Sequence, residues 1–156
     1  MRRREKEITD RQEIDQILEE SRFCHLAFAR DNEPYLVPLF YGYDGRRLYF
    51  HTAREGRKLE FLAANDRVCF QVERQVEIVA RDQACNWSAT FESVIGCGRA
   101  TELTAVEEKR YGLDLIMGHY SDREWAYAPS VFESTRVWSI EIESLTGKRS
   151  RLKVIP

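Results

Sequence analysis

The chain has 156 residues, of which 43% are hydrophobic and 32% charged, a composition typical of one globular domain over residues 1–156. Its 24 basic and 26 acidic residues nearly cancel, which excludes a surface that grips nucleic acid by overall charge. No apolar run approaches the roughly 18 residues of a membrane span, and none follows the basic start as a secretion signal would. We expect a cytoplasmic protein with no nucleic-acid or membrane partner.

Cysteine and histidine spacing gives no sign of a metal centre. The four cysteines are Cys24, Cys69, Cys85 and Cys97. None forms a C-x-x-C pair, and three lie in apolar, strand-like stretches where cysteine usually acts as a small buried hydrophobe. The three histidines are scattered along the chain. We therefore predict no metal site.

The first elements predicted are a helix and a strand. In TDRQEIDQILEES, Thr9 and Gln12 have capping-box spacing, and Ile14, Ile17 and Leu18 form one apolar stripe. RFCHLAFAR then has the composition of a strand, and DNEP closes it with a turn.

Residues 35–52 predict two further strands joined by a tight Asp-Gly connection. Pro38 lies inside the first of them and has no N–H to donate to a neighbouring strand. Its position is therefore at an edge, at a bulge or beside something other than a strand, and a ligand is one such neighbour.

The rest of the chain alternates between helical and strand patterns. Helical spacing covers residues 55–65 and the stretch TAVEEKRYGLDLIMGHYS, residues 104–121. Strand patterns cover residues 67–80, 87–103 and 135–154, with Gly96 and Gly98 at points of close backbone approach. The order predicts a mainly β fold with peripheral helices, in which a Greek-key-like antiparallel sheet closes into a barrel.

The predicted helix in REGRKLEFLAAND has its positive charges at its start, the end where they are unfavourable. Arg54, Arg57 and Lys58 crowd its start, although a helix N-terminus already bears partial positive charge. One explanation is a solvated surface helix whose cations are screened by water. The other is a bound anion, held by these cations and by the free N–H groups beside Gly56, with the Thr52 hydroxyl just upstream.

The strands before this helix supply aromatic surface in PLFYGY and LYFH, most of which we assign to the core. An apolar slot beside a phosphate clamp nevertheless suits a planar ring on a phosphorylated tail. Flavin mononucleotide (FMN) fits that description.

In the order and spacing of its segments, the chain resembles the flavin-binding split barrels related to pyridoxamine-phosphate oxidase, and among them the 5-nitroimidazole reductase group. The similar segments run from about Ile14 to Lys148. They are residues 34–73, SVIGCGRATEL, EEKRYGLDLIMGHYS and RVWSIEIESLTGKRS. The additional basic residues that true pyridoxamine-phosphate oxidases carry near the C-terminus are not matched in GKRSRLKVIP, so the vitamin B6 reaction is not expected.

The resemblance implies a homodimer with FMN in clefts at the subunit interface. It implies that Lys58, with Arg57 as a second candidate, holds the phosphate, and that His51, Thr52 and Ala53 line the ribityl and phosphate region. Residues implied to lie beside the flavin ring or around the cleft are Pro38, Leu39, Phe40, Tyr41, Trp87, Ser88 and Ser93. Some relatives bind haem or a deazaflavin instead.

From these features we expect an FMN-dependent oxidoreductase that reduces small aromatic acceptors such as nitro compounds. His51 is the candidate proton donor because histidine titrates near neutral pH, although it equally suits a hydrogen bond to backbone or cofactor. The alternatives are a non-catalytic flavin- or haem-binding carrier, store or sensor, and a structural dimer without a cofactor.

Overall fold

A computed structural model describes residues 4–151 of the chain. Its elements in chain order are β1 (Glu7–Ile8), α1 (Arg11–Glu20), β2 (Cys24–Arg30), β3 (Glu33–Leu39), β4 (Gly42–Tyr43), β5 (Arg47–Thr52), α2 (Arg57–Ala64), β6 (Arg67–Val79), β7 (Ser88–Leu103), α3 (Val106–Gly118), α4 (Pro129–Ser134) and β8 (Arg136–Ser150). Short 3-10 turns cover Arg4–Lys6 and Ala84–Asn86.

The strands form one antiparallel sheet in the order β3-β2-β6-β7-β8-β5-β4, with β1 paired to β8. The main core lies on its inner face, where α1 buries Ile14, Ile17 and Leu18 against strand residues such as Leu26 and Phe70. The mainly β, antiparallel architecture with peripheral helices is the predicted one.

Several local predictions need correction. The cap of α1 is Asp10, not Thr9, because the Asp10 carboxylate accepts a 2.9 Å hydrogen bond from the Gln12 amide. Residues 35–52 contain parts of three strands rather than two, since the chain leaves the sheet at Phe40 and Tyr41 before β4. The six-residue helix α4 was not predicted, and the last strand ends at Ser150, with 152–154 outside the described residues.

Pro38 lies on β3, the edge strand of the sheet, which confirms one of the positions predicted for it. Its ladder partner on β2 is His25. On the side away from β2, no strand among residues 4–151 pairs with β3. Its backbone groups on that side are therefore open to another partner.

Helices cover only part of the outer face of the sheet. Over β5 and β8, α3 and α4 complete a second apolar cluster of Tyr49, Leu113, Ile116, Phe132 and Val137. The outer faces of β3, β2, β6 and most of β7 have no such helical cover among the described residues; at the end of β7, Leu103 packs against this second cluster.

Two glycines allow the close approaches predicted for β7. A Cβ added at Gly98 would lie 2.1 Å from the Glu141 carbonyl oxygen, beside a bulge in the β7–β8 pairing. A Cβ at Gly96 would lie 2.3 Å from the buried Phe70 ring. At both positions, the close approach of the neighbouring strand requires a residue without a Cβ.

We predict that Gly98→Ala destabilises the fold by about 1–3 kcal/mol or more, because the backbone carbonyl that it meets cannot turn aside as a side chain can. Urea unfolding followed by circular dichroism measures the change. Gly118→Ala is the matched control, since a Cβ there meets nothing within 4 Å. Equal midpoints for the two variants would contradict the predicted contact.

Candidate functional site

The start of α2 is an uncapped helix end. Gly56 is its N-cap residue, at a φ of 136° that a side chain would strain, and no side chain bonds to the opening N–H groups. Arg54 is exposed just before the helix, and Lys58 is half-buried in its first turn. Neither cation forms a salt bridge with any residue in the 4–151 range. The end of this helix is thus positively charged and open.

Arg57, the third cation of this group, has partners in the chain itself. Its guanidinium forms a salt bridge with Glu33 at the start of β3. It also lies over the Tyr35 ring, 4.9 Å from the centroid, and 5.6 Å from the centroid of Phe61. Arg57 therefore belongs to the packing between α2 and β3, which the sequence pattern did not reveal.

His51 and Lys58 lie close enough to interact. His51 is near the end of β5, paired with Val137 of β8, and its side chain is exposed in the single chain. Partial desolvation, followed by the positive charge of Lys58, lowers the pKa of His51 below its usual value. The imidazole is thus neutral at neutral pH, with one nitrogen available as an acceptor and the other as a donor.

Thr52 and Ala53 connect this histidine to the helix. Thr52 is buried, and its hydroxyl oxygen accepts a 3.3 Å hydrogen bond from the Trp138 indole. Ala53 is exposed in the loop between β5 and α2. The structure therefore brings His51, Thr52, Ala53 and Lys58 together at one corner of the sheet.

The predicted ring-binding residues lie at the far end of β3. Pro38 is exposed and Leu39 half-buried. Tyr41 is buried, its hydroxyl donating to the Leu18 carbonyl at 2.6 Å and its amide donating to the Tyr120 hydroxyl at 3.2 Å. Since both of these groups are already bonded, Tyr41 shapes this end of the sheet from within.

Phe40 belongs to an exposed aromatic cluster. Its ring lies 5.5 Å from Phe23 and 4.8 Å from Tyr120, centroid to centroid. The three rings border a cleft of about 490 Å³ that also reaches His119. Phe23 was not among the predicted site residues, because a lone aromatic before a strand gives no signal of its own.

Edge strand β3 joins the cationic corner to the aromatic cluster. Glu33, which contacts Arg57, and Pro38 are five residues apart, which is roughly 17 Å along an extended strand. An elongated ligand with an anionic tail and a flat ring can lie along this edge. The arrangement can bind such a ligand without disturbing a strand pairing.

Trp87, Ser88 and Ser93 lie elsewhere. Ser88 pairs with Val79, ten residues along β7 from Gly98, which is roughly 33 Å. Gly98 pairs with Val68, four residues beyond the end of α2, so Trp87 and Ser88 lie towards the opposite end of the β6–β7 pair from α2. Ser93 is buried opposite Glu73 and Lys148.

Within the described range, no group of three His, Cys, Asp or Glu side chains is arranged to hold a metal ion. The helices of that range are all too short or too polar to cross a membrane.

The chain is similar to solved structures and to one curated protein. A candidate 5-nitroimidazole antibiotic resistance protein from Bacteroides thetaiotaomicron is 32% identical, with a TM-score of 0.83 over 92% of this chain and 86% of that one. An FAD-binding protein from Mesorhizobium loti is 26% identical, with a TM-score of 0.66 over 90% and 94% of the two chains. These similarities identify the fold of the antiparallel sheet as a split barrel.

An uncharacterized protein of Rhizobium meliloti (strain 1021) is 29% identical over 100 residues, 64% of this chain. The match spans 59% of that relative. A family model described as pyridoxamine 5'-phosphate oxidase matches residues 10–149, nearly the whole chain. The chain therefore belongs to the pyridoxamine 5'-phosphate oxidase family.

Proposed function

We propose that this protein binds FMN and serves as an oxidoreductase for small aromatic acceptors. The observation that carries the proposal is the open cationic corner at the start of α2, joined by an unpaired strand edge to an exposed aromatic cluster. Lys58 and Arg54 have no anionic partner among the described residues, and the uncapped helix end adds its own positive charge. A phosphate group would satisfy all three.

Each part of the site has a role in holding the cofactor. Lys58 and Arg54 bind the phosphate, while the exposed backbone of β3 meets the polar edge of the ring along Pro38 and Leu39. Bound there, the flavin supplies hydride or electron transfer. Phe40 and its aromatic neighbours exclude water from one side and offer a flat surface for a planar acceptor.

His51 is the candidate catalytic residue. Because its neutral form is favoured beside Lys58, it can hold a proton on one ring nitrogen and accept a hydrogen bond at the other. A neutral imidazole at the border of ribityl chain and ring either orients the cofactor or delivers a proton to a reduced acceptor.

Nitro compounds are the acceptor class that we favour. The relative from Bacteroides thetaiotaomicron, described as a candidate 5-nitroimidazole resistance protein, shares 32% of its residues with this chain. The aromatic cluster at Phe40 also suits a flat heterocycle by stacking. The four cysteines are all free, as suits the reducing cytoplasm in which we propose that the protein works.

We further propose that the protein is a homodimer and that its uncovered sheet face is the interface. Two adjacent rows of ladder partners cross this face without a charged residue. One row is Leu36, Ala27, Cys69, Cys97 and Ser144; the other is Pro38, His25, Gln71, Ile95 and Thr146. Leu36 and Ile95 are 61% and 49% exposed.

An uncharged face favours self-association for a physical reason. In a two-fold dimer the same patch meets itself, so any charge near the axis would face a like charge. Because Pro38 lies in one of these rows, a ligand on β3 would lie at the border of this interface. A cofactor touching both chains follows from this arrangement.

Lys58→Ala should weaken FMN binding roughly ten- to hundredfold, because a hydrogen bond to a charged group contributes about 1.5–3 kcal/mol. Flavin fluorescence titration measures the dissociation constant. Arg46→Ala is the matched control, since it removes an exposed cation that pairs with Glu141 on another part of the sheet. If the two variants bind FMN alike, the phosphate is held elsewhere.

A turnover assay on the FMN-loaded protein tests the chemistry. Wild-type protein that reduces nitroaromatic or quinone acceptors with a reduced nicotinamide supports the oxidoreductase. Protein that retains flavin without turnover is instead a carrier, store or sensor. Mass analysis of the released cofactor separates FMN from FAD, deazaflavin and haem.

Glu33→Gln should tighten FMN binding several-fold, because it frees Arg57 from its salt bridge and removes a negative charge near the phosphate. An exposed ion pair of this kind contributes only about 0–1 kcal/mol to stability, so the variant should still fold. Calorimetric titration with FMN measures the affinity. Unchanged affinity would mean that Arg57 serves only in packing against Tyr35 and Phe61.

The pKa of His51 should rise when FMN binds. In the free protein, partial desolvation and then the charge of Lys58 hold it below its usual value of 6.5, and a phosphate would neutralise the Lys58 charge. NMR titration of the imidazole carbon-bound protons, with and without FMN, measures both values. Lys58→Ala in the free protein should also raise this pKa. If FMN leaves the pKa of His51 unchanged, His51 does not lie at the phosphate site.

A further inference from the structure

Two cysteines face each other near the middle of the uncovered sheet face. Cys69 of β6 and Cys97 of β7 are ladder partners, and both are free thiols. Both are partly exposed, and Val68 and Phe70 on either side of Cys69 are buried in the core. Because side chains alternate between the faces of a strand, the two thiol groups lie side by side on the outer face.

The hydrogen-bond pattern shows which kind of pair these cysteines form. Opposite residues of antiparallel strands alternate between pairs that exchange backbone hydrogen bonds and pairs that do not. The Ala100 amide donates a 2.8 Å hydrogen bond to the Asp66 carbonyl, immediately before the first ladder pair of β6 and β7. The register runs without a shift from there to Cys69 and Cys97, three residues further along β6. The cysteines are therefore a non-hydrogen-bonded pair, the kind whose side chains lie closer together.

This geometry is within reach of a disulfide bond. The Cα atoms of a non-hydrogen-bonded pair are about 4.5 Å apart, and those of a disulfide are roughly 4.4–6.8 Å apart. The neighbours of the two cysteines in the same row are small, Ala27 on β2 and Ser144 on β8. The sulfur atoms can therefore turn towards each other by side-chain rotation, without a change of register.

The other two cysteines are not placed to compete. Cys24 is buried among the core residues, so the sheet itself separates its side chain from that of Cys69. Cys85 lies in the exposed turn between β6 and β7, outside the ladder. Of the four cysteines, all within the described range, only Cys69 and Cys97 are ladder partners.

We propose that Cys69 and Cys97 form a redox-sensitive dithiol site, which a small-molecule disulfide such as oxidised glutathione converts into a reversible cross-strand disulfide. The site lies within one chain, so it rests neither on the proposed cofactor nor on the proposed dimer. In the reducing cytoplasm proposed above, disulfides are typically transient and redox-sensing. The partial exposure of both thiols suits that role, because exposed disulfides are the labile ones.

The exchange balances in two steps, and the state of Cys69 sets their order. Burial, followed by interaction with the Cys97 thiol, raises the pKa of Cys69 to about 11, so Cys69 is protonated at neutral pH and attacks second. Cys97 first loses its proton to solvent, and its thiolate attacks one sulfur of oxidised glutathione, which releases one glutathione thiolate. Cys69 then loses its proton and attacks the Cys97 sulfur, which closes the bridge and releases the second glutathione. The two cysteines lose two electrons, and the oxidised glutathione gains them.

Equilibration with glutathione tests the proposal. Protein is held in mixtures of reduced and oxidised glutathione until its composition stops changing, which allows for slower access where a second copy covers the face. It is then blocked with N-ethylmaleimide and digested with trypsin and chymotrypsin, which cut the chain between Cys85 and Cys97 at Trp87 and Phe91.

Mass spectrometry should find the peptides of Cys69 and Cys97 joined. The joined peptides should be roughly tenfold or more in excess of glutathione adducts at either residue, because the second thiol is already in place. Excess reduced glutathione should separate them again. Adducts without the bridge, no oxidation at ratios that modify Cys85, or a bridge that joins ¹⁴N to ¹⁵N chains instead of closing within one chain would overturn the proposal.

Moving one thiol along the strand provides the matched control. The double variant Cys97→Ser with Ile95→Cys keeps four cysteines, but its new thiol lies diagonally across from Cys69 on the same face, at roughly 7–8 Å. A disulfide does not span Cα atoms more than about 7 Å apart, so the bridge should fall roughly tenfold or more. Cys85→Ser should leave the bridge unchanged. Equal bridging in the double variant, with native circular dichroism, would show that the register does not select the pair and would overturn the proposal.

Discussion

The contact between Gly98 and the Glu141 carbonyl fixes the register on which the rest of the structure depends. No Cβ fits between them, so the close approach of β7 and β8 at this point requires glycine, and the bulge there sets which residues face each side. Val94 then lies in the core and Cys97 on the outer face. Moving the register by one residue would exchange these two faces. The uncharged outer surface and the buried core are therefore two results of one pairing.

The cationic corner illustrates how weak interactions leave a site available. The Arg57–Glu33 salt bridge is largely exposed, so water screens it and its net contribution is small. Lys58 has no such partner among the described residues, and its positive charge contributes to the lowered pKa of His51. Charges left unpaired beside an uncapped helix end raise the free energy of the unliganded protein. The proposed phosphate would remove that penalty in one step.

Much of the fold could be predicted from the sequence, because the periodic pattern of apolar residues and the turn-forming residues are local signals. Gly98 and the edge position of Pro38 were predictable for the same reason. The partner of Arg57 was not, since Glu33 lies 24 residues away and only the folded sheet brings them together. The uncharged face was equally hidden, because its members come from five strands and become neighbours only through the register. Helix α4 is too short for periodicity to indicate it.

In the proposed dimer, cofactor binding and self-association would be physically linked. Leu36 and Pro38 end the two uncharged rows, and the same strand β3 connects the cationic corner to the Phe40 cluster. A ligand held along that strand would therefore contact whatever packs on the face. If a second copy packs there, the ligand stabilises the dimer and the dimer stabilises the bound ligand by the same free energy. The proposed second chain would explain why this uncharged sheet face stays uncovered by helices, because that chain would cover the face and, in doing so, close the site.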